Sequence, residues 1–168
     1  MWPDIDDETL DELDDQFGDL DLEFDHSDAE WYKLFVYGTL MRDRRNHARM
    51  LCEGVQFIAQ AKTIRQTYEM QTRLVGERFW APAVRVTTVG RGYGVIGELY
   101  RVREDVLERL DAYEGHPEVY ERQAVNVTTL GASPKTHPCE MYVFQPEFDS
   151  DMTTRGIQIR FNSYYWQA

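Results

Sequence analysis

The sequence predicts an α+β fold in which a small, curled or barrel-like mixed sheet packs against one main helix. Strand signals follow one another closely after residue 30, whereas helical periodicity in that region is confined to two segments. Strands and helices do not alternate regularly, which argues against a doubly wound parallel sheet. With 168 residues, the chain is about the size that one hydrophobic core accommodates.

The predicted strands cover residues 33–37, 54–62, 67–72, 83–88, 92–102, 119–130 and 139–145, and the alternation of Ile157, Ile159 and Phe161 predicts an edge strand. Gly92, Gly94 and Gly97 indicate that the longest strand begins at a sharp turn and bends where another backbone comes close. The main predicted helix runs from Arg103 to Tyr113, with Val106, Leu107 and Leu110 on one face. A weaker helical pattern spans residues 44–52.

The charge divides the chain into an acidic N-terminal arm, residues 1–30, and a domain, residues 31–168. The arm holds 14 of the 30 acidic residues and none of the 18 Lys and Arg, so the formal charge of −12 describes the arm. The domain carries 16 acidic and 18 basic side chains, about +2 in sum. A nearly neutral domain with an acidic arm is a poor direct binder of nucleic acid.

Within the arm, two hydrophobic patterns suggest local structure. Residues 6–17 have the spacing of a short amphipathic helix, and residues 19–25 alternate acidic and apolar side chains like a strand with one apolar face. A disordered, solubilising leader is the alternative interpretation. The apolar residues favour an arm that docks, either on its own domain as an added strand or on a basic protein partner.

The remaining composition limits the function classes. Cys52 and Cys139 are far apart without metal-ligand spacing, and the four histidines share none, so we expect free thiols, a reducing compartment and no metal. Neither an apolar run of about 20 residues nor a signal-peptide pattern is seen in the sequence. We therefore expect a cytoplasmic protein that is not inserted in a membrane.

Two segments are candidates for chemistry. At Tyr37, Gly38, Thr39 and Leu40 a strand stops at a glycine, where successive amides can form a small nest for an anion. An ordinary strand-to-loop corner is the alternative. Glu114 ends the main helix before Gly115, and the negative end of the helix macrodipole raises the pKa of a carboxyl there, which suits general acid and base catalysis. A solvated surface glutamate is the alternative.

An ordered series of motifs carries a family resemblance. The series is Phe35-Val36-Tyr37-Gly38-Thr39-Leu40, Asn46-His47, Ala81-Pro82-Ala83-Val84, Gly97-Glu98-Leu99-Tyr100, Leu110-Asp111-Ala112-Tyr113-Glu114-Gly115 with Tyr120-Glu121-Arg122, and Met141-Tyr142-Val143. It resembles the gamma-glutamylcyclotransferase-like superfamily, and most of all its gamma-glutamylamine cyclotransferase branch. The resemblance implies a small mixed β-barrel and a cofactor-independent, lyase-type acyl transfer. In that reaction the α-amino nitrogen of a γ-glutamyl group attacks its own γ-carbonyl, releasing an amine and 5-oxoproline.

Carried over by position, the resemblance makes Glu114 the general acid/base. It also places Tyr37, Gly38, Thr39, Leu40 and, less directly, Tyr120 around the γ-glutamyl group. Three departures bear on the substrate: Met41-Arg42 lacks the Trp that follows the loop in the glutathione-degrading branch, residues 63–81 are bulkier than the usual turn, and residues 164–166 have no clear counterpart. The alternative function is a non-catalytic interaction module that uses the arm.

Overall fold

The structure is a computed structural model that describes residues 30–88, 91–160 and 162–167. The patterns predicted at residues 6–17 and 19–25, and Phe161 of the predicted edge strand, lie outside the described residues. The described part of the chain contains nine strands, one α-helix and one 3₁₀ turn. The strands are β1 Trp31–Val36, β2 Val55–Thr63, β3 Tyr68–Val75, β4 Phe79–Val86, β5 Gly94–Arg103, β6 Tyr120–Thr129, β7 Thr136–Phe144, β8 Ile157–Arg160 and β9 Ser163–Trp166. The helix α1 is Glu104–Glu114, and the 3₁₀ turn is His47–Met50.

Five strands close into a barrel in the order β1-β7-β6-β2-β5, because β5 also pairs with β1. The β1–β7 pair is parallel and the other four pairs are antiparallel, so the barrel is mixed. Beyond β5 the sheet continues through β9, which pairs parallel to it, and then β8. The predicted fold, a small mixed β-barrel with one main helix, is confirmed.

Strand β1 explains why the run from Leu34 to Tyr37 is apolar without interruption. Successive strand residues point to opposite faces, and both faces of β1 are covered. Leu34 and Val36 belong to a core cluster that includes Val106, Leu107 and Leu110 of α1, and Phe35 and Tyr37 belong to a second cluster. The helix therefore packs on one face of the barrel wall and fixes its last residue, Glu114, relative to the end of β1.

A close backbone approach was predicted at Gly97 and is present in β5. A Cβ atom built there would lie 2.2 Å from the Val36 carbonyl oxygen, a distance that only glycine tolerates. The helix prediction is also confirmed within one residue at each end, since Arg103 is extended and caps α1. The helix predicted over residues 44–52 was wrong: that segment is a series of turns around the 3₁₀ turn, whose four residues bury only Met50.

Residues 68–86 differ most from the sequence expectation. Strands were predicted over residues 67–72 and 83–88, and residues 63–81 were noted as bulkier than the family's usual turn; β3 and β4 are longer, and they form an eight-residue antiparallel hairpin that turns at residues 76–78. Pro82 lies within β4, and proline is tolerated there because the two-stranded sheet consists of edge strands. Residues 164–166, for which no counterpart was found, form most of β9, with Trp166 in the core.

Candidate active site

The loop after β1 forms one wall of the site. The Met41 N–H donates to the Gly38 carbonyl at 3.1 Å and the Asn46 N–H to the Thr39 carbonyl at 3.0 Å, which folds the loop back on itself. Within the described part of the chain, the N–H groups of Gly38, Thr39 and Leu40 donate to no backbone carbonyl. A Cβ at Gly38 would lie 2.7 Å from Pro82 Cγ, so glycine lets the loop pack against β4.

Glu114 faces this loop from the end of α1. The helix stops there because Gly115 adopts the left-handed conformation, φ 67°, and its N–H returns to the Asp111 carbonyl. Glu114 lines two cavities, a narrow one of about 50 Å³ and a wider one of about 250 Å³. The narrow cavity is also bounded by the loop, and the wider one by Arg73, Phe79 and Tyr113.

The Glu114 carboxyl is in an unusual electrostatic environment. Burial raises its pKa to about 7, while the positive charges of Arg49 and Arg73 act in the opposite direction. Among the described residues, the carboxylate accepts no hydrogen bond and forms no ion pair within 4.0 Å. The helix-dipole argument thus predicted the correct direction, but desolvation is the main cause. A carboxyl with a pKa near 7 and no fixed partner can exchange a proton at neutral pH.

Three tyrosines complete the narrow cavity. The Tyr37 hydroxyl donates to the Tyr142 carbonyl at 2.7 Å, and the Tyr120 hydroxyl to the Pro82 carbonyl at 3.3 Å. Tyr142 also lines this cavity, and its hydroxyl donates to Asp111 Oδ1 at 2.7 Å. Burial raises the pKa of all three phenols, so each remains a neutral donor held in one orientation.

Sequence comparison identifies the family of this chain. A model of the family described as "Gamma-glutamyl cyclotransferase, AIG2-like" matches residues 34–167. The chain belongs to this family. Gamma-glutamylaminecyclotransferase from Bos taurus is 32% identical over 120 residues, covering 71% of this chain and 68% of the bovine protein. A putative gamma-glutamylcyclotransferase from Drosophila melanogaster is 28% identical over 137 residues, covering 78% and 80% of the two chains.

Solved structures agree with this assignment. An AIG2-like protein from Mus musculus superposes with a TM-score of 0.56 at 32% sequence identity, covering 68% of this chain and 77% of the mouse chain. An allophanate hydrolase from Kluyveromyces lactis matches 74% of this chain and 19% of its own at a TM-score of 0.58; at 19% identity, it shows a shared fold only. The predicted resemblance, and the prediction of an enzyme of the gamma-glutamylcyclotransferase type, are confirmed.

In this family member, the structure brings together every site residue named from the sequence. Tyr37, Gly38, Thr39, Leu40, Tyr120 and Glu114 all line the narrow cavity. Their roles in substrate binding and catalysis remain predictions.

Two neighbours were missed as site residues. Tyr142 lay in the predicted strand over residues 139–145 and in the family series, but it was not named as a site residue. Arg73 lay just beyond the strand predicted over residues 67–72, and only the β3–β4 pairing places it beside Glu114 and Tyr120.

The described residues were also compared with the requirements of a metal site and of a membrane-spanning helix. In the ranges that the structure describes, no group of three His, Cys, Asp or Glu side chains could hold a metal ion. The described helices include none that is long and apolar enough to cross a membrane.

Proposed function

We propose that this protein is a gamma-glutamylamine cyclotransferase, which converts a γ-glutamyl amide into 5-oxoproline and a free amine with Glu114 as general acid/base. One observation carries the proposal. A carboxyl with a pKa of about 7, without a hydrogen-bond or ion-pair partner among the described residues, lines a narrow cavity together with three loop residues whose N–H groups bind no backbone carbonyl of that part of the chain. Relatives named gamma-glutamylaminecyclotransferase support this choice of substrate class.

The reaction needs one proton acceptor that later becomes a donor. Glu114, in its carboxylate form, takes a proton from the α-ammonium group of the substrate. The freed nitrogen then attacks the γ-carbonyl carbon, so that one C–N bond forms as the ring closes. When the original amide C–N bond breaks, Glu114 returns the proton to the leaving nitrogen. The second proton that the attacking nitrogen must lose is taken up by the released amine, which departs as an ammonium ion. A pKa near the working pH suits both transfers.

The loop residues would stabilise the charge that develops during ring closure. As the α-nitrogen attacks, the γ-carbonyl oxygen becomes an oxyanion, and backbone N–H groups are effective donors for such a centre. Gly38, Thr39 and Leu40 line the narrow cavity, and their N–H groups donate to no backbone carbonyl among the described residues, which supports this role. Because the attack is intramolecular, holding the substrate in a ring-closing conformation removes much of the entropic barrier.

The two cavities suggest how the substrate is divided. We place the reacting γ-carbonyl in the narrow cavity, where the loop and Glu114 meet. The wider cavity, lined by Val75, Phe79, Tyr113 and Val119, then receives the amine portion. Its apolar lining suits an alkyl amine better than the polar cysteinyl-glycine part of glutathione, in keeping with the missing Trp after Leu40.

A substrate panel tests the proposal. Purified full-length protein is incubated with γ-glutamyl-ε-lysine, with γ-glutamyl alkylamines and with glutathione, and 5-oxoproline is measured. We expect release from the amides, slower release from glutathione and no detectable release by Glu114→Gln. Glu118→Gln, an exposed glutamate nearby, is the matched control and should retain activity. Failure of wild type to release 5-oxoproline from every compound would contradict the proposed function.

The free thiols support a cytoplasmic location for this enzyme. Cys52 and Cys139 form no disulfide with each other, and burial raises the pKa of the Cys139 thiol to about 12. Reducing compartments preserve such thiols. Fractionation that finds the protein in an oxidising compartment would contradict this inference.

A further inference from the structure

A further concave region, which we call the basic cleft, has a volume of about 1040 Å³. It shares no lining residue with the two Glu114 cavities. We define it by its cationic residues Arg42, Arg44, Lys62 and Arg160 and by two further wall residues, Leu130 and Tyr165. The proposed reaction uses none of them. The basic cleft is therefore separate from the proposed catalytic site.

The cleft has an excess of positive charge. Its four cations face two carboxylates, Asp43 and Glu98, which leaves a formal charge of +2 on the lining. Glu98 is already paired with Arg42 at 3.0 Å. In the described ranges, Arg44, Lys62 and Arg160 have no carboxylate within 4.0 Å. Three unpaired cations in one concavity attract an anionic occupant.

Two further features of the wall favour a polypeptide segment as the occupant of the cleft. The buried Arg44 Nε finds no acceptor among the described residues, although Arg44 Nη2 donates to the Tyr165 hydroxyl at 3.3 Å. Leu130 in the wall is 41% exposed. An occupant that combines acidic and apolar side chains would satisfy the cations and cover this apolar wall.

The acidic arm has this composition. Residues 1–30 contain 14 carboxylates and no Lys or Arg, and in residues 19–25 Asp19, Asp21, Glu23 and Asp25 alternate with Leu20, Leu22 and Phe24. In an extended segment, the two sets point to opposite sides. We propose that residues 19–25 of this chain bind in the basic cleft, with carboxylates toward Arg44, Lys62 and Arg160.

The distance allows the arm to reach the cleft of its own chain. The Glu30 carbonyl accepts the Glu104 N–H at 3.0 Å, which fixes where the arm leaves the domain. From there β1 runs alongside β5, from Trp31 opposite Arg103 to Val36 opposite Glu98. Five residues of strand span about 17 Å, and the five residues from Asp25 to Glu30 reach as far when extended. Binding therefore requires no second copy.

Zero-length carbodiimide crosslinking of the full-length protein tests this placement. The chain has only three lysines, Lys33, Lys62 and Lys135, so each crosslinked peptide is assigned without ambiguity by mass spectrometry. We expect Lys62 to join carboxylates of residues 19–25, and Lys135, outside the cleft, to join none. In 1 M NaCl, where the Debye length is about 3 Å, the Lys62 product should decrease strongly.

A charge reversal supplies the second measurement. Arg160→Glu removes one cation of the cleft and leaves Lys62 in place, so the Lys62 crosslink should fall about two- to fivefold. Arg78→Glu makes the same charge change at the exposed turn between β3 and β4 and should have no effect. Equal loss in both variants, or no Lys62 crosslink in wild type, would overturn the proposal. Crosslinks between isotope-labelled and unlabelled chains would assign the cleft to another copy's arm and also overturn it.

Discussion

The narrow cavity and the basic cleft are each lined by a glutamate, and the surroundings of the two side chains differ. Glu98, 5% exposed at the cleft, accepts the Arg42 N–H at 2.8 Å, Arg42 Nε at 3.0 Å and the Tyr100 hydroxyl at 2.8 Å. Glu114, partly buried, accepts no hydrogen bond from the described residues. The same type of side chain is therefore held in two different hydrogen-bonding environments.

This difference separates a structural carboxylate from one available for chemistry. Donors around Glu98 fasten the loop after Leu40 to β5, because one of them is the backbone of that loop. The Glu114 carboxyl is desolvated by burial and receives no hydrogen bond from the described residues. Its pKa is therefore about 7, so that its proton can be gained and lost near neutral pH. Burial alone does not distinguish the two carboxyls, whereas the presence or absence of donors among the described residues does.

The largest expected effect is on catalysis at Glu114. Glu114→Gln keeps the shape of the side chain and removes proton transfer, so kcat for 5-oxoproline release should fall by about 10²- to 10⁴-fold. Glu98→Gln, measured at a temperature where both variants are folded, should keep kcat within a fewfold of wild type. A comparable loss of kcat in both variants would remove the distinction between the two glutamates.

The second effect is on stability and has the opposite pattern. Glu98→Gln replaces a charged acceptor with a neutral one and leaves Arg42 without its ionic partner, which should destabilise the fold by about 1–3 kcal/mol. Urea denaturation at pH 7 measures this change. Glu114→Gln loses no hydrogen bond or ion pair with the described residues and should not be destabilised. Wild-type stability for Glu98→Gln would show that the three donors contribute little.

The third effect is the pH dependence of stability caused by Glu114. Its folded-state pKa of about 7 lies above the ordinary value of 4.5, so the folded state binds this proton more tightly than the unfolded state. The associated stability is complete below pH 4.5 and is lost as pH rises through 7. Glu114→Gln, which cannot ionise, should therefore gain stability relative to wild type between pH 5 and pH 8. Parallel stability curves for the two proteins would contradict the raised pKa.

The smallest effect concerns Arg73. Its positive charge lowers the pKa of Glu114 against the larger effect of burial, so Arg73→Gln should raise that pKa further. The rising limb of kcat/KM against pH, which follows formation of the Glu114 carboxylate, should move to higher pH. Arg91→Gln, an exposed arginine outside both cavities, is the control and should leave the profile in place. A downward shift would assign Arg73 another role.

Much of the barrel could be predicted because its signals are local or belong to the ordered family series. The sequence alone shows the uninterrupted apolar run of β1, the turn residues between strands and the glycine at position 97. The strands of the β3–β4 hairpin were predicted too short: residues 73–75 and 79–82 fell outside them, and Pro82 is accommodated in β4 only because that strand lies at a sheet edge. Strand β9 was missed because its parallel partner, β5, lies about 70 residues earlier in the chain.

At the site, the same division holds between local and long-range causes. The sequence sufficed to place Glu114 at a helix end, since Gly115 stops the helix, and to concentrate the negative charge in the arm. Only the tertiary structure decided that Glu114 is desolvated and lacks a partner among the described residues while Glu98 has three donors, and that Arg73 lies beside Glu114. Desolvation and pairing depend on which distant segments pack together, and residue order along one strand or helix does not specify them.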